Sequence, residues 1–189
     1  MVTTSNDIAN EAIQLMGGNQ PFVTGLAPNF DSSVTGKALQ KLYAPTVATV
    51  ARQHEWDFAR QTVALALSGN VAPFPWAYEY VYPANCVQLW QLAPAALTDA
   101  NNPLPINSAV GNAIVGAAQA KVIWSNLQNA NAVINSNPLE ATWDALFREA
   151  VVRLLASALA MAIGGKPDVA QSMLESGGAF ETLAEGRES

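Results

Sequence analysis

The chain has 189 residues, half of them apolar and only 13% charged, with a net charge of -6. That balance excludes a general nucleic-acid binder, which needs a basic face to displace counterions from phosphates. It also leaves much neutral surface, of the kind that subunit interfaces hide.

In chain order, Ser5 reads as the N-cap of a short first helix with Asp7 in its first turn, and Ile8, Ala12, Leu15 and Met16 fall on one face. Gly17-Gly18 stops it, and residues 19–30, with Pro21, Gly25 and Pro28, read as a loop. Asp31, Ser32 and Ser33 compete to cap a long second helix. Its apolar positions run through Val34, Ala38, Leu42, Val47 and Val50, and on through Trp56, Phe58, Ala59 and Val63 towards Leu67, with Gly69-Asn70 as the stop. Pro45 is expected to kink or split this helix.

The composition then changes. Between Gln61 and Leu139 the only charges are Glu79, Asp99 and Lys121, among seven prolines. Trp76–Tyr82 alternates large and small residues and reads as extended chain, and Cys86–Leu92 reads as a strand. Ile106–Val115, Lys121–Trp124 and Ala132–Ile134 are weaker strand candidates. From Pro138 the helical pattern returns, with Trp143, Phe147, Ala150, Leu154, Ala158 and Ala162 as one stripe and Leu146, Val151, Leu155 and Leu159 beside it. Pro167 suits the first turn of a last helix carrying Val169, Met173 and Leu174 inward. The expected fold is mainly α, a helical bundle with an inserted low-charge β/loop arm. We take it as a single domain over 1–189, with N-terminal helices over 1–70, the arm over 71–138, C-terminal helices over 139–176 and a flexible tail over 177–189.

The most apolar uncharged stretch, Leu154–Gly165, is shorter than the roughly 20 residues that cross a bilayer, and Met1–Asp7 has no signal-peptide pattern. One cysteine, Cys86, forms no intrachain disulfide and fits a reducing compartment. With one histidine, His54, beside it, the chain lacks the His/Cys stock of a structural zinc site. Glu55 and Asp57 are two apart on a helix and do not face each other. Gly164-Gly165-Lys166-Pro167 lacks phosphate-loop spacing. No catalytic, metal or cofactor site is therefore expected. The aromatic run Trp76, Tyr78, Tyr80, Tyr82 and Trp90 lacks the interleaved Lys or Arg of a base-stacking platform and suits core and protein interface together.

One stretch resembles a known family. Arg52-Gln53-His54-Glu55-Trp56-Asp57-Phe58-Ala59-Arg60, then Ala64-Leu65, then Trp76-Ala77-Tyr78-Glu79-Tyr80-Val81-Tyr82-Pro83-Ala84-Asn85-Cys86, resembles the tail tubular protein A and head-to-tail adaptor family of tailed bacteriophages. The Asn/Ala/Pro-rich segment Asn101–Asn137 matches no part of that pattern. The resemblance implies a virion protein, assembled in the host cytoplasm and without a membrane. Copies would form a homo-oligomeric ring, typically dodecameric, beneath the portal protein. The ring extends the channel through which DNA passes without specific binding, and docks the tail nozzle or other tail proteins. No cofactor or catalytic residue is implied. Trp56, Phe58, Trp76, Tyr78, Tyr80, Tyr82, Trp90 and Trp124 are the expected contacts between subunits or with portal and tail. The tail from Gly177 would grip the portal, and acids such as Glu175, Glu181 and Glu185 would line the channel. The alternative reading is a cytosolic helical module that binds an apolar ligand or partner helix in a pocket of Trp143, Phe147 and Leu154. A hydrolase using Cys86 and His54 is a third.

Overall fold

The chain leaves a helical unit at His54 and returns to it at Pro138: Met1–His54 and Pro138–Ser189 form one unit, and Glu55–Asn137 forms the other. The computed structural model describes residues 3–17, 20–94, 106–164, 168, 170–172 and 174–176. The expected tail, 177–189, lies outside them, as do Val169 and Met173.

In the helical unit, Thr4 rather than Ser5 caps α1 (Ser5–Met16). Its hydroxyl accepts from the Asp7 backbone N–H while the Asp7 carboxylate accepts from the Thr4 N–H, a reciprocal capping box. Ser5 is buried instead, and its Oγ accepts from the Ala27 N–H at 2.9 Å. The segment read as a plain loop contains a minimal ladder, β1 (Gly25–Leu26) with β2 (Asn29–Phe30). Asn10 holds its approach by exchanging two hydrogen bonds with Val23.

The second helix, α2 (Val34–Gln53), is capped by Ser33. It runs through Pro45 without the expected break. Pro45 and Lys41 both face solvent, so the carbonyl that a proline leaves without a partner is open to water. After a 3₁₀ turn (Glu140–Thr142), Asp144 caps α3 (Ala145–Leu159), which ends in a π-helical turn over Ala160–Gly164. α1 and α2 both pack on α3. That explains the broad buried face of α3: Phe147, Ala150, Val151, Val152, Leu155, Ala156 and Leu159. Leu154 and Ala158, placed in the expected stripe, are only half-buried. Helical residues recur from 168 to 176. Ser157 Oγ donates to the Ala170 carbonyl at 2.8 Å and Arg153 donates to Ser176 Oγ at 3.1 Å, so this segment runs antiparallel to α3. Leu174, expected inside, is exposed.

The β unit holds two three-stranded antiparallel sheets. One has the order β3-β8-β5, from β3 (Arg60–Ala64), β8 (Ala130–Ser136) and β5 (Cys86–Pro94). The other has the order β4-β7-β6, from β4 (Tyr78–Val81), β7 (Ala118–Ser125) and β6 (Ser108–Val115). The chain just after β3 joins the two. Leu65 donates to the Ala130 carbonyl on β8, and one residue later the Ala66 carbonyl accepts from Val81 on β4. Such a corner lets one strand serve two sheets. Between them lies a core of Tyr80, Leu92, Ile123, Ala130, Ala132 and Ile134, with Val63, Leu65, Tyr78, Tyr82, Leu89 and Leu127 around it.

The expected mainly helical bundle is overturned. Among the described residues, helix accounts for 39% and strand for 30%, in three antiparallel sheets, so the fold is mixed α and β. The second helix does not continue to Leu67: His54 takes extended dihedrals, and Arg60–Ala64 pairs with Asn131–Asn135. The Trp56–Val63 spacing reads as helical, but the backbone groups of Arg60–Ala64 find their partners about 70 residues downstream, where local periodicity carries no signal. Likewise the Asn- and Ala-rich stretch after Ser108 forms three successive strands because each finds a ladder partner, β6 and β7 in each other and β8 in the distant β3 and β5. Left-handed Gly116 and Asn129 stand at their connections. No helix among the described residues is long and apolar enough to cross a membrane.

Candidate protein interface

The sequence Ser68-Gly69-Asn70-Val71-Ala72-Pro73-Phe74-Pro75-Trp76-Ala77 links β3 to β4. Its prolines and lack of alternation leave its apolar side chains no regular element in which to be buried. Val71 is 95% exposed and Phe74 98% exposed. These are the two most exposed large apolar side chains among the described residues of the unit, and Leu67, Val110 and Ile114 add to the exposed apolar surface.

Both ends of this loop are pinned. At its start, Asn70 Nδ2 donates to Glu79 Oε1 (2.8 Å) and to the Ile114 carbonyl (2.9 Å), while Ser68 Oγ donates to the same Glu79 oxygen (2.8 Å). At its end, the Ala77 N–H donates to Asn126 Oδ1 at 2.8 Å, and the Trp76 N–H closes a turn on the Pro73 carbonyl. The tip is therefore presented on a fixed base, which lowers the ordering cost of any contact it makes.

Glu79 is the centre of that base. It is 4% exposed and sits opposite Trp124 on the neighbouring strand. The Trp124 indole N–H donates to Glu79 Oε2 at 2.7 Å. Burial pushes the carboxyl pKa up, but the hydrogen bonds from Trp124, Asn70 and Ser68 together outweigh it and hold the group below the ordinary value of 4.5. All three donors are neutral, so the carboxylate keeps its charge in a stretch, Gln61 to Asn137, whose only other charges are Asp99 and Lys121. Gly111 makes room for the clamp: a Cβ there would overlap the Trp124 ring.

The eight aromatics expected as interface contacts are placed differently from one another. Tyr80 is 1% exposed and its hydroxyl donates to the Leu127 carbonyl, so it belongs to the protomer core. Trp56 is buried and its ring lies 6.0 Å from that of half-buried Phe58. Tyr78 and Tyr82 border the β core, and Trp124 serves Glu79. Trp76 is half-buried at the foot of the loop. Trp90 is half-buried, and its indole N–H finds no acceptor among the described residues. The side chains that do reach solvent, Val71 and Phe74, were not singled out from the sequence. The readable signal was an uncharged, proline-flanked apolar run with no periodicity.

Cys86 donates to the Tyr82 hydroxyl at 3.2 Å, and Lys121 Nζ stands 4.0 Å from the Tyr82 ring centroid. Burial raises the thiol pKa, and the Tyr82 hydrogen bond and Lys121 charge oppose this without cancelling it. That is the reverse of what a thiolate nucleophile needs. Alkylation of Cys86 by iodoacetamide in the folded protein is expected to be at least ~10-fold slower than in the denatured chain. Mass spectrometry of timed samples checks this, and equal rates would contradict the half-buried, protonated thiol.

Of the residues expected to line a ligand pocket, Trp143 and Leu154 are half-buried. Phe147 is fully buried with its ring edge-on to Trp143 at 4.8 Å. Glu175 is exposed and accepts from Gln171, whereas Glu181 and Glu185 lie outside the described residues. No protein-family model matches the chain, and no curated protein matches it.

Proposed function

We propose that this chain is a virion structural protein of the head-to-tail adaptor kind. Copies pack side by side into a ring, dodecameric by the family resemblance, beneath a portal, extend the DNA channel and offer a docking surface to tail proteins. The observation that carries the reading is the rigidly presented apolar tip, Val71 and Phe74, on a β unit whose only charges from Gln61 onward are Glu79, Asp99 and Lys121. A side chain left almost wholly in water on a pinned loop contributes nothing to the protomer and suits burial against a neighbour. The family resemblance of Arg52–Arg60 and Trp76–Cys86 supports the same reading, and the net negative charge suits a channel past which DNA moves without sticking.

The test is mass by light scattering, first of the chain alone and then mixed with a portal protein. A large defined ring, or a monomer that joins the portal at fixed stoichiometry, is the expected result. A monomer that ignores every portal tried would sink the reading. In the Val71→Ser/Phe74→Ser variant, association is expected to weaken about 30-fold, because burying one aromatic is worth about 2 kcal/mol. Its thermal midpoint should stay within about 1 °C of the parent, since exposed substitutions change stability little. Unchanged association would remove the loop from the interface.

A further inference from the structure

A second surface, in the helical unit, has a different chemistry. Between α2 and the π-helical turn after α3 lies a groove of about 270 Å³, lined by Lys37, Ala38, Lys41, Leu42 and Ala162. Its floor is apolar and its rim carries two ammonium groups one helical turn apart. The other described cations of this unit on α3 are committed elsewhere, Arg148 to Glu11 and Arg153 to Glu149. Lys37 and Lys41 have no ion pair with a described residue. The groove thus fits a segment that offers apolar side chains together with carboxylates at matching spacing.

Such a segment lies near the C-terminus, outside the elements already packed into the helical unit. Phe180-Glu181-Thr182-Leu183-Ala184-Glu185-Gly186-Arg187-Glu188 carries Phe180, Leu183 and Ala184 at helical spacing, with Glu181 and Glu185 four apart, as Lys37 and Lys41 are. We infer that the α2 groove receives the Phe180–Glu188 segment of a second copy of this chain. Phe180 and Leu183 would cover Ala38, Leu42 and Ala162, and Glu181 and Glu185 would pair with the two lysines.

A second copy is favoured over the same chain by direction. The hydrogen bonds Ser157–Ala170 and Arg153–Ser176 show that the backbone approaching Ser176 runs towards the α3 N-terminus, away from Ala162. From Arg153 back to Ala162 is about 14 Å along the helix axis. Four residues beyond Ser176 could cover that distance only by reversing direction and extending fully. A neighbouring copy needs no reversal.

This inference rests on the assembly reading in one respect: copies of the chain must meet. The experiment uses the full chain, its concentration dependence of mass by light scattering, and three variants: Lys37→Glu/Lys41→Glu, Glu181→Lys/Glu185→Lys, and all four changes together. Each charge-reversed pair is expected to weaken self-association about 10-fold, as two surface ion pairs turned repulsive would. The four-site variant should return to within about 3-fold of the parent. Self-association that is unaffected by the double variants, or not restored in the four-site variant, overturns the groove inference and leaves the adaptor reading standing. A chain that stays monomeric alone but joins a portal at fixed stoichiometry also overturns it alone, and assigns the segment elsewhere. A monomer indifferent to portals overturns both.

Discussion

Replacing Glu79 by alanine is expected to destabilise the β unit by about 3 kcal/mol or more, read as a shift in the denaturant midpoint of tryptophan fluorescence. The substitution strands the Trp124 indole N–H and takes an acceptor from the Ser68 hydroxyl and from the Asn70 amide, which keeps its bond to the Ile114 carbonyl. Hydrogen bonds to a charged group are worth about 1.5–3 kcal/mol each, and orphaned buried donors add their desolvation cost. Loss of the clamp also frees the start of the Val71–Phe74 loop, so association should weaken in step with stability.

The same carboxylate sets a pH dependence whose sign follows from its pKa. In the folded protein the value lies below the ordinary 4.5, so the unfolded chain takes up the proton first as pH falls. The contribution of Glu79 is therefore fully present above about pH 4.5 and lost as pH drops through the folded value. The stability gap between the parent and Glu79→Ala should be widest near neutral pH and shrink below about pH 4.5. A gap that holds constant down to about pH 3 would mean that the hydrogen bonds do not favour the ionised form.

The second large effect belongs to the helical unit. Phe147→Ala is expected to lose about 4 kcal/mol, the usual cost of emptying a fully buried aromatic site, measured by urea titration of helical circular dichroism. Phe147 is 0% exposed, and its edge-on contact with Trp143 goes with it. Leu154→Ala, at a half-buried position of the expected stripe, should lose less than about half as much. Equal losses would show that Leu154 belongs to the buried face of α3 as fully as Phe147 does.

Much of the helical unit was legible because its information is local. The stop at Gly17, a cap among Asp31–Ser33 and the apolar spacing of α3 are all set by residues within a turn or two of one another. Where the reading slipped, a tertiary partner intervened. Ser5 looked like a cap, but Ala27 claims its hydroxyl and Thr4 caps instead. Pro45 looked like a break, but its face is wet. The stripe on α3 was drawn through Leu154 because periodicity alone does not say that α1 and α2 both pack on that helix.

The sequence by itself determined that the middle of the chain is nearly uncharged, that its tyrosines alternate along a strand, and that helices stand on either side of it. These follow from composition and from periods of two and 3.6, which each residue carries with it. Only the tertiary structure decided that the β unit begins at Glu55, because the partner of β3 is β8, far along the chain. It decided too that Tyr80 is core, that Glu79 is a buried anion held by neutral donors, and that Val71 and Phe74 are the side chains left in water. Burial and buried charge are properties of neighbours that meet only after folding, so no window of the sequence contains them.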